Sequence, residues 1–197
     1  MPGNPAKLVV LLLVWLVGFG RVAAAELAVM GAVNLLFVAM NLAALRRGIF
    51  AFEHPDLFGM PVYEYLMWGF YVLHTVRFLD GPPPRGRTIV ALAAAGAFAS
   101  TFALIAAPPL LLIVSGAVLA VGIALFHERM DLAYAGYMAA LGAAVEYVGV
   151  STGQWHYPGH PWGGVPLWFL TMWAGVGLFT RRLALPLVAA RASAAGV

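Results

Sequence analysis

The 197-residue chain has no cysteine, a single lysine (Lys7), and charged side chains at only 10% of positions. The missing cysteines exclude disulfides, thiolate metal centres and cysteine nucleophiles together. A glycine-rich phosphate loop and a nucleophile elbow are also absent. A soluble domain is about 25% charged and about 45–50% apolar. Here 63% of residues are hydrophobic, and the mean hydropathy is +0.91. No single soluble core of this size hides so much apolar surface. That excludes a soluble globular enzyme, a nucleic-acid-binding domain and a disordered chain. The net charge of +3 needs no polyanionic partner, because arginines placed at helix ends for topology account for it. What remains is an integral membrane protein.

A spanning helix takes about 20 apolar residues. Seven runs qualify as candidates: 8–20, 22–45, 60–79, 88–107, 109–126, 132–150 and 165–180. Their breaks are Gly18, Gly20 and Arg21, then Arg46–Arg47, Gly81 with three prolines, Pro108–Pro109, His127–Glu128–Arg129 and Arg181–Arg182. The tail beyond Arg182 is expected to be frayed or interfacial. The first run also reads as a signal peptide, with Lys7 before it and Ala23-Ala24-Ala25 after it. Charge counting argues for retaining it. With the N-terminus outside, Arg21, Arg85, Arg87, Arg129, Arg181, Arg182 and Arg191 are cytoplasmic, and Lys7, Arg46 and Arg47 are outside. The expected location is the bacterial inner membrane, N-terminus out and C-terminus in. The last run holds no lysine, which excludes a retinal Schiff base there.

The chain repeats itself. Gly59-Met-Pro-Val-Tyr-Glu-Tyr-Leu-Met-Trp, continuing to Arg77, aligns without a gap on Gly164-Val-Pro-Leu-Trp-Phe-Leu-Thr-Met-Trp, continuing to Arg182. Seven of nineteen positions are identical at an offset of 105, among them Pro61/Pro166, Trp68/Trp173, Thr75/Thr180 and Arg77/Arg182. Helix-start chemistry explains the glycines and prolines, but not the Met-Trp pair seven residues inside. The expected fold is therefore all-α, with seven transmembrane helices in a 3+1+3 arrangement and a parallel internal repeat. Residues 1–79 would form the first three-helix unit, 80–108 a linker helix, 109–182 the second unit and 183–197 a tail. Parallel repeats place sites between the halves, near mid-membrane.

Ionisable groups within the bilayer are costly, so each is a candidate site residue: Glu26, Glu64, His74 and Glu146. Trp68, Tyr71 and Thr75 continue the helical face of Glu64. In the plainer reading, Arg77 snorkels, and Glu26 and Glu64 cap helix starts. Asn34 and Asn41, seven apart, suit interhelical hydrogen bonds. The loop at 151–164 carries Trp155, His156, Tyr157, His160 and Trp162. His156 and His160 have the i, i+4 spacing of helical metal ligands. Pro158 and Gly159 between them prevent a regular helix, so no metal site is expected. The aromatic residues there read more economically as an interfacial belt.

Two stretches carry a resemblance. Glu146-Tyr-Val-Gly-Val-Ser-Thr-Gly-Gln-Trp-His-Tyr-Pro, with Gly164-Val-Pro-Leu-Trp after it, resembles the membrane carotenoid hydratases of the bacterioruberin type. The duplicated three-span unit, with Pro61-Val-Tyr-Glu64 opening its last helix, resembles the small membrane lycopene cyclases. The resemblance implies redox-neutral hydration or cyclisation of a hydrophobic isoprenoid or carotenoid, with no cofactor. Glu146 would be the general acid and Glu64 the second carboxylate or cation stabiliser. Trp68, Trp173, Trp155, Tyr63 and Tyr71 would face the developing cation, and Tyr147, Tyr157 or His156 would relay the proton. Where the first half has Glu64 the second has Phe169, and that loss favours a second expectation, a non-catalytic carrier or assembly factor.

Overall fold

The computed structural model describes residues 3–159 and 163–194. His160 and Trp162, and with them the question of a two-histidine site, lie outside the described residues. The chain is all-helical apart from two short paired segments. In order come α1 (Asn4–Phe19), α2 (Ala24–Arg46), β1 (Ala51–Phe52), α3 (Glu64–Leu79), α4 (Thr88–Leu104), α5 (Pro108–Phe126), α6 (Arg129–Ser151), β2 (Trp155–His156), α7 (Trp168–Phe179) and α8 (Leu185–Ala194). Each apolar run contains one helix, with altered ends. Helices α1 and α5 open on prolines in their first turns, where the missing N–H costs nothing. Helix α3 begins at Glu64, after a turn in which the Glu64 N–H donates to the Pro61 carbonyl at 3.1 Å. The Phe169 N–H donates to the Pro166 carbonyl, also at 3.1 Å.

Two of the helices, α2 and α5, are each long and apolar enough to cross a membrane; α1 and α4 are apolar but shorter. The outer face is correspondingly greasy: Val17 is 86% exposed, Ile89 83% and Leu35 74%. An outer face this apolar is a surface that meets lipid or another apolar protein face rather than water. The core lies between α2, α3, α6 and α7, built on Trp68, Met138, Val165, Phe169 and Trp173. β1 and β2 pair antiparallel, Ala51 opposite His156 and Phe52 opposite Trp155, and tie together the connections that lead into α3 and α7.

The C-terminal region differs from expectation. Arg181 and Arg182 do not stop the last helix. The chain passes through a π-helical turn (Thr180–Ala184) into α8, whose Leu185 packs with Val76 and Tyr134. Both arginines are buried, Arg181 to 1% and Arg182 to 3% exposure. Their charges are met inside the protein. Arg181 donates to Asp131 Oδ1 at 2.6 Å and to Glu128 Oε2 at 2.7 Å; Arg182 donates to Asp131 through Nε at 2.8 Å and to Glu128 Oε1 at 2.9 Å. Asp131 also accepts the Glu128 N–H at 3.2 Å, which starts α6 three residues ahead of its apolar run. A smaller copy of this device joins α2 and α3. Arg77 does not snorkel: it pairs with Glu26 at 2.7 Å and donates to the Phe19 and Arg21 carbonyls, while Glu26 accepts the Ala23 N–H at 2.7 Å. Glu26 is thus a cap, as the plainer reading had it, and an ion-pair partner as well. Positions 23, 26 and 77 recur at 128, 131 and 182, the same offset of 105.

Candidate functional site, an aromatic cavity with two carboxylates

A cavity of about 300 Å³ lies between α2, α3, α4, α6 and α7, with the β1 and β2 segments at one end. Its volume is at the small end of the range for ligand pockets. Leu36, Ala39 and Ala43 of α2 and Ala103 of α4 line it and are also exposed on the outer face. The mouth therefore opens sideways, toward the apolar exterior. The walls are mostly aromatic and aliphatic, and two carboxylates, Glu64 and Glu146, face in.

Glu146 is 5% exposed and is held by three donors. Trp155 Nε1 and the Tyr157 hydroxyl donate to Oε2 at 3.0 and 2.8 Å, and Trp173 Nε1 donates to Oε1 at 3.1 Å. An indole N–H only donates, so each carboxylate oxygen is used as an acceptor. Helix α6 makes room for this. A Cβ on Gly142 would lie 2.1 Å from the Trp173 ring, and one on Gly149 would lie 2.0 Å from the Trp155 ring. These glycines flank Glu146 on one helical face and seat the two indoles that bond it. Trp155 and Tyr157 therefore turn inward onto Glu146 rather than outward as a membrane belt.

Glu64 differs. It is partly buried, and its side chain makes no hydrogen bond or ion pair among the described residues. Beyond it lies a second cavity of about 290 Å³, lined by Lys7, Tyr63, Glu64, Tyr71, Gln154 and Trp155 among others. Glu64 thus borders both chambers. Lys7 does not reach it within ion-pair distance: its ammonium donates to Gln154 at 2.7 Å and to Asn4 at 3.3 Å. The Tyr63 hydroxyl donates to the same Gln154 oxygen at 3.4 Å. In the main cavity, Trp68, Tyr71 and Trp173 form a triangle of rings. Trp68 is 4.6 Å from Trp173 and 5.8 Å from Tyr71, and Tyr71 is 5.1 Å from Trp173, centroid to centroid. Phe37 stacks on Trp68 at 3.8 Å.

The remaining candidates lie elsewhere. His156 points away from the cavity and pairs with Glu53 at 2.5 Å. His74 contacts the Tyr137 hydroxyl at 2.5 Å among Phe19 and Phe78. Asn34 accepts the Gly69 N–H at 2.6 Å, an interhelical bond between α2 and α3, whereas Asn41 lines the main cavity. Sequence reasoning missed Asp131 and the cavity residues Phe37, Phe102 and Trp168. For Asp131 a signal existed: it stands 105 residues after Glu26.

No protein-family model matches the chain, and neither does any curated protein. Solved structures do. A mycobacterial Insig homologue, MvINS from Mycobacterium vanbaalenii, superposes with a TM-score of 0.73 at 17% identity, covering 87% of this chain and 98% of that one. A cross-linked trimer of MvINS gives a TM-score of 0.72 with the same identity and coverage. The likeness is one of fold. Together with the apolar exterior, it makes this an integral membrane protein associated with the bilayer. It also overturns the resemblance to lycopene cyclases and carotenoid hydratases, since the matched architecture is that of an Insig homologue. Hydration or cyclisation of a carotenoid by a carboxylic acid falls with that resemblance, and so does the isoprenoid substrate.

Proposed function

We propose that the protein is a non-catalytic polytopic membrane protein that binds a membrane-soluble molecule in the main cavity, as a carrier or regulatory binding protein. The carrying observation is the position of the mouth: an aromatic chamber with polar groups inside opens between α2 and α4 on the lipid-facing side. Amphiphile sites have this form, with apolar walls and a few placed polar groups.

The finer architecture in this proposal is seven spans, three plus a linker plus three. Support comes from register. Helix α2 (Ala24–Arg46) and helix α6 (Arg129–Ser151) begin and end 105 residues apart, as do the turns at Pro61 and Pro166 and the two arginine-to-acid anchors. Ala51 pairs with the residue 105 positions later, His156, as a local two-fold axis between duplicated units requires. The N-out, C-in orientation in the bacterial inner membrane also belongs here. Setting aside the internally paired Arg181 and Arg182, five arginines remain inside against three basic residues outside.

The test is to purify the protein from its membrane, extract it with solvent and identify what co-purifies by mass spectrometry. An Ala43→Trp variant, which fills the mouth, serves as the comparison. A species retained by the wild type and lost from the variant supports the reading. Equal lipid profiles from the two proteins would reject it.

A further inference from the structure

The cavity holds two carboxyl groups for which its lining supplies no ion-pair partner. Glu64 and Glu146 both line it. Among the described lining residues the only cation is Arg47, at the mouth, whose guanidinium is bonded to the Ala103 and Phe102 carbonyls at 2.6 and 3.3 Å. Elsewhere in this protein buried acids are matched by arginines: Asp131 by Arg181 and Arg182, and Glu26 by Arg77. At Glu146 the partners are neutral N–H and O–H groups, and at Glu64 there are none among the described residues. Isolated charge in a low-dielectric interior is expensive unless something pairs with it. The Trp68, Tyr71 and Trp173 triangle lines the same cavity as the acids, and ring faces of this kind attract a cation within about 6 Å of their centroids. The mouth, in contrast, is apolar and faces lipid.

Resting on the reading of this cavity as a ligand site, we propose that its occupant is a lipophilic organic cation, an amine or quaternary ammonium carrying an apolar tail. The charged end sits among the aromatic triangle, Glu64 and Glu146, and the tail lies along Phe37, Met40 and Phe102 toward the mouth. Glu64 supplies the charge that meets the cation directly, because its oxygens are free to turn to it. Glu146, fixed by three donors, presents its carboxyl group beside the Trp173 ring.

Four probes decide it, added to the full-length protein in a maltoside detergent free of choline lipids: decyltrimethylammonium, decanol, decanoate and tetramethylammonium. Binding is read from tryptophan emission, since Trp68, Trp155, Trp168 and Trp173 all line the site. Saturable binding of decyltrimethylammonium is expected, with each other probe at least ten-fold weaker. Glu64→Gln and Glu146→Gln should each weaken the ammonium at least ten-fold while leaving decanol unchanged. Glu64→Gln carries the test if Glu146→Gln fails to fold. Decanol binding as tightly as the ammonium would overturn the cation proposal and leave the lipid-site reading standing. Tetramethylammonium binding equally well would overturn the requirement for a tail. If none of the four perturbs the emission, both readings fall.

Discussion

Two acidic regions of this protein treat charge in opposite ways. Where α6 meets the π turn, Asp131 and Glu128 face Arg181 and Arg182, and all four carboxylate oxygens accept hydrogen bonds from them. In the cavity, Glu146 is satisfied by neutral donors, and the side chain of Glu64 has no partner among the described residues. The first arrangement closes on itself and holds helices together. The second is left open electrostatically, in a part of the interior that also has space. Charge balance, more than burial, separates scaffold from site.

The sharpest way to break that contrast is at Asp131. Asp131→Ala leaves two guanidinium groups buried without their shared acceptor, and removing one partner of a buried pair costs about 3–5 kcal/mol. Thermal unfolding in detergent should show a larger loss for it than for Gly142→Ala, Glu128→Gln or Glu64→Gln. A loss as small as that of a surface variant would mean that the network is not scaffold. Next comes Gly142→Ala, whose methyl group would collide with the Trp173 ring. Overpacking of this kind costs about 1–3 kcal/mol, and a changed tryptophan emission should report that Trp173 has moved off Glu146.

Smaller still is the pH response of the network. Burial acts to raise the pKa of Glu128. The hydrogen bond from Arg181, the Arg85 N–H and the two guanidinium charges outweigh it and hold the carboxyl below its ordinary 4.5. Because the folded value lies below the unfolded one, the stabilisation is complete above about 4.5 and is lost as the pH falls through it toward the lowered value. Melting temperature measured from pH 7 down to pH 3 should fall less steeply in Glu128→Gln than in the wild type. The smallest effect is expected at Glu64. With no partner to lose, Glu64→Gln should not destabilise the protein in the same melts. A large loss there would show a structural partner and collapse the distinction between the two regions.

Much of the scaffold was legible in the chain because hydrocarbon length and helix punctuation are local signals. The seven apolar runs each hold a helix, and prolines and glycines mark their ends. The last boundary was misread because Arg181 and Arg182 resemble a polar stop until Asp131 and Glu128, fifty residues earlier, are placed beside them. Trp155 and Tyr157 were misread for a related reason. A loop of aromatic residues has the composition of an interfacial belt, and only the notches at Gly142 and Gly149 show that an indole turns inward. The motif resemblance failed because Gly-x-Pro helix starts and an acid followed by aromatics meet needs common to many membrane helices. The two carboxylates were visible from their cost in a bilayer, whereas the mouth between α2 and α4 was not, since no spacing rule encodes a gap.

That lateral mouth changes which concentration matters. A molecule entering between α2 and α4 is drawn from the hydrocarbon phase, so occupancy follows its mole fraction among the surrounding lipids and not its level in the aqueous compartment. Diluting a suspension of protein-bearing vesicles with buffer leaves that fraction nearly constant for a strongly partitioning ligand, and the site stays filled. Adding empty lipid lowers it, and the site drains. On the proposed reading of the cavity, its occupancy would follow a composition, the ratio of one membrane component to the rest.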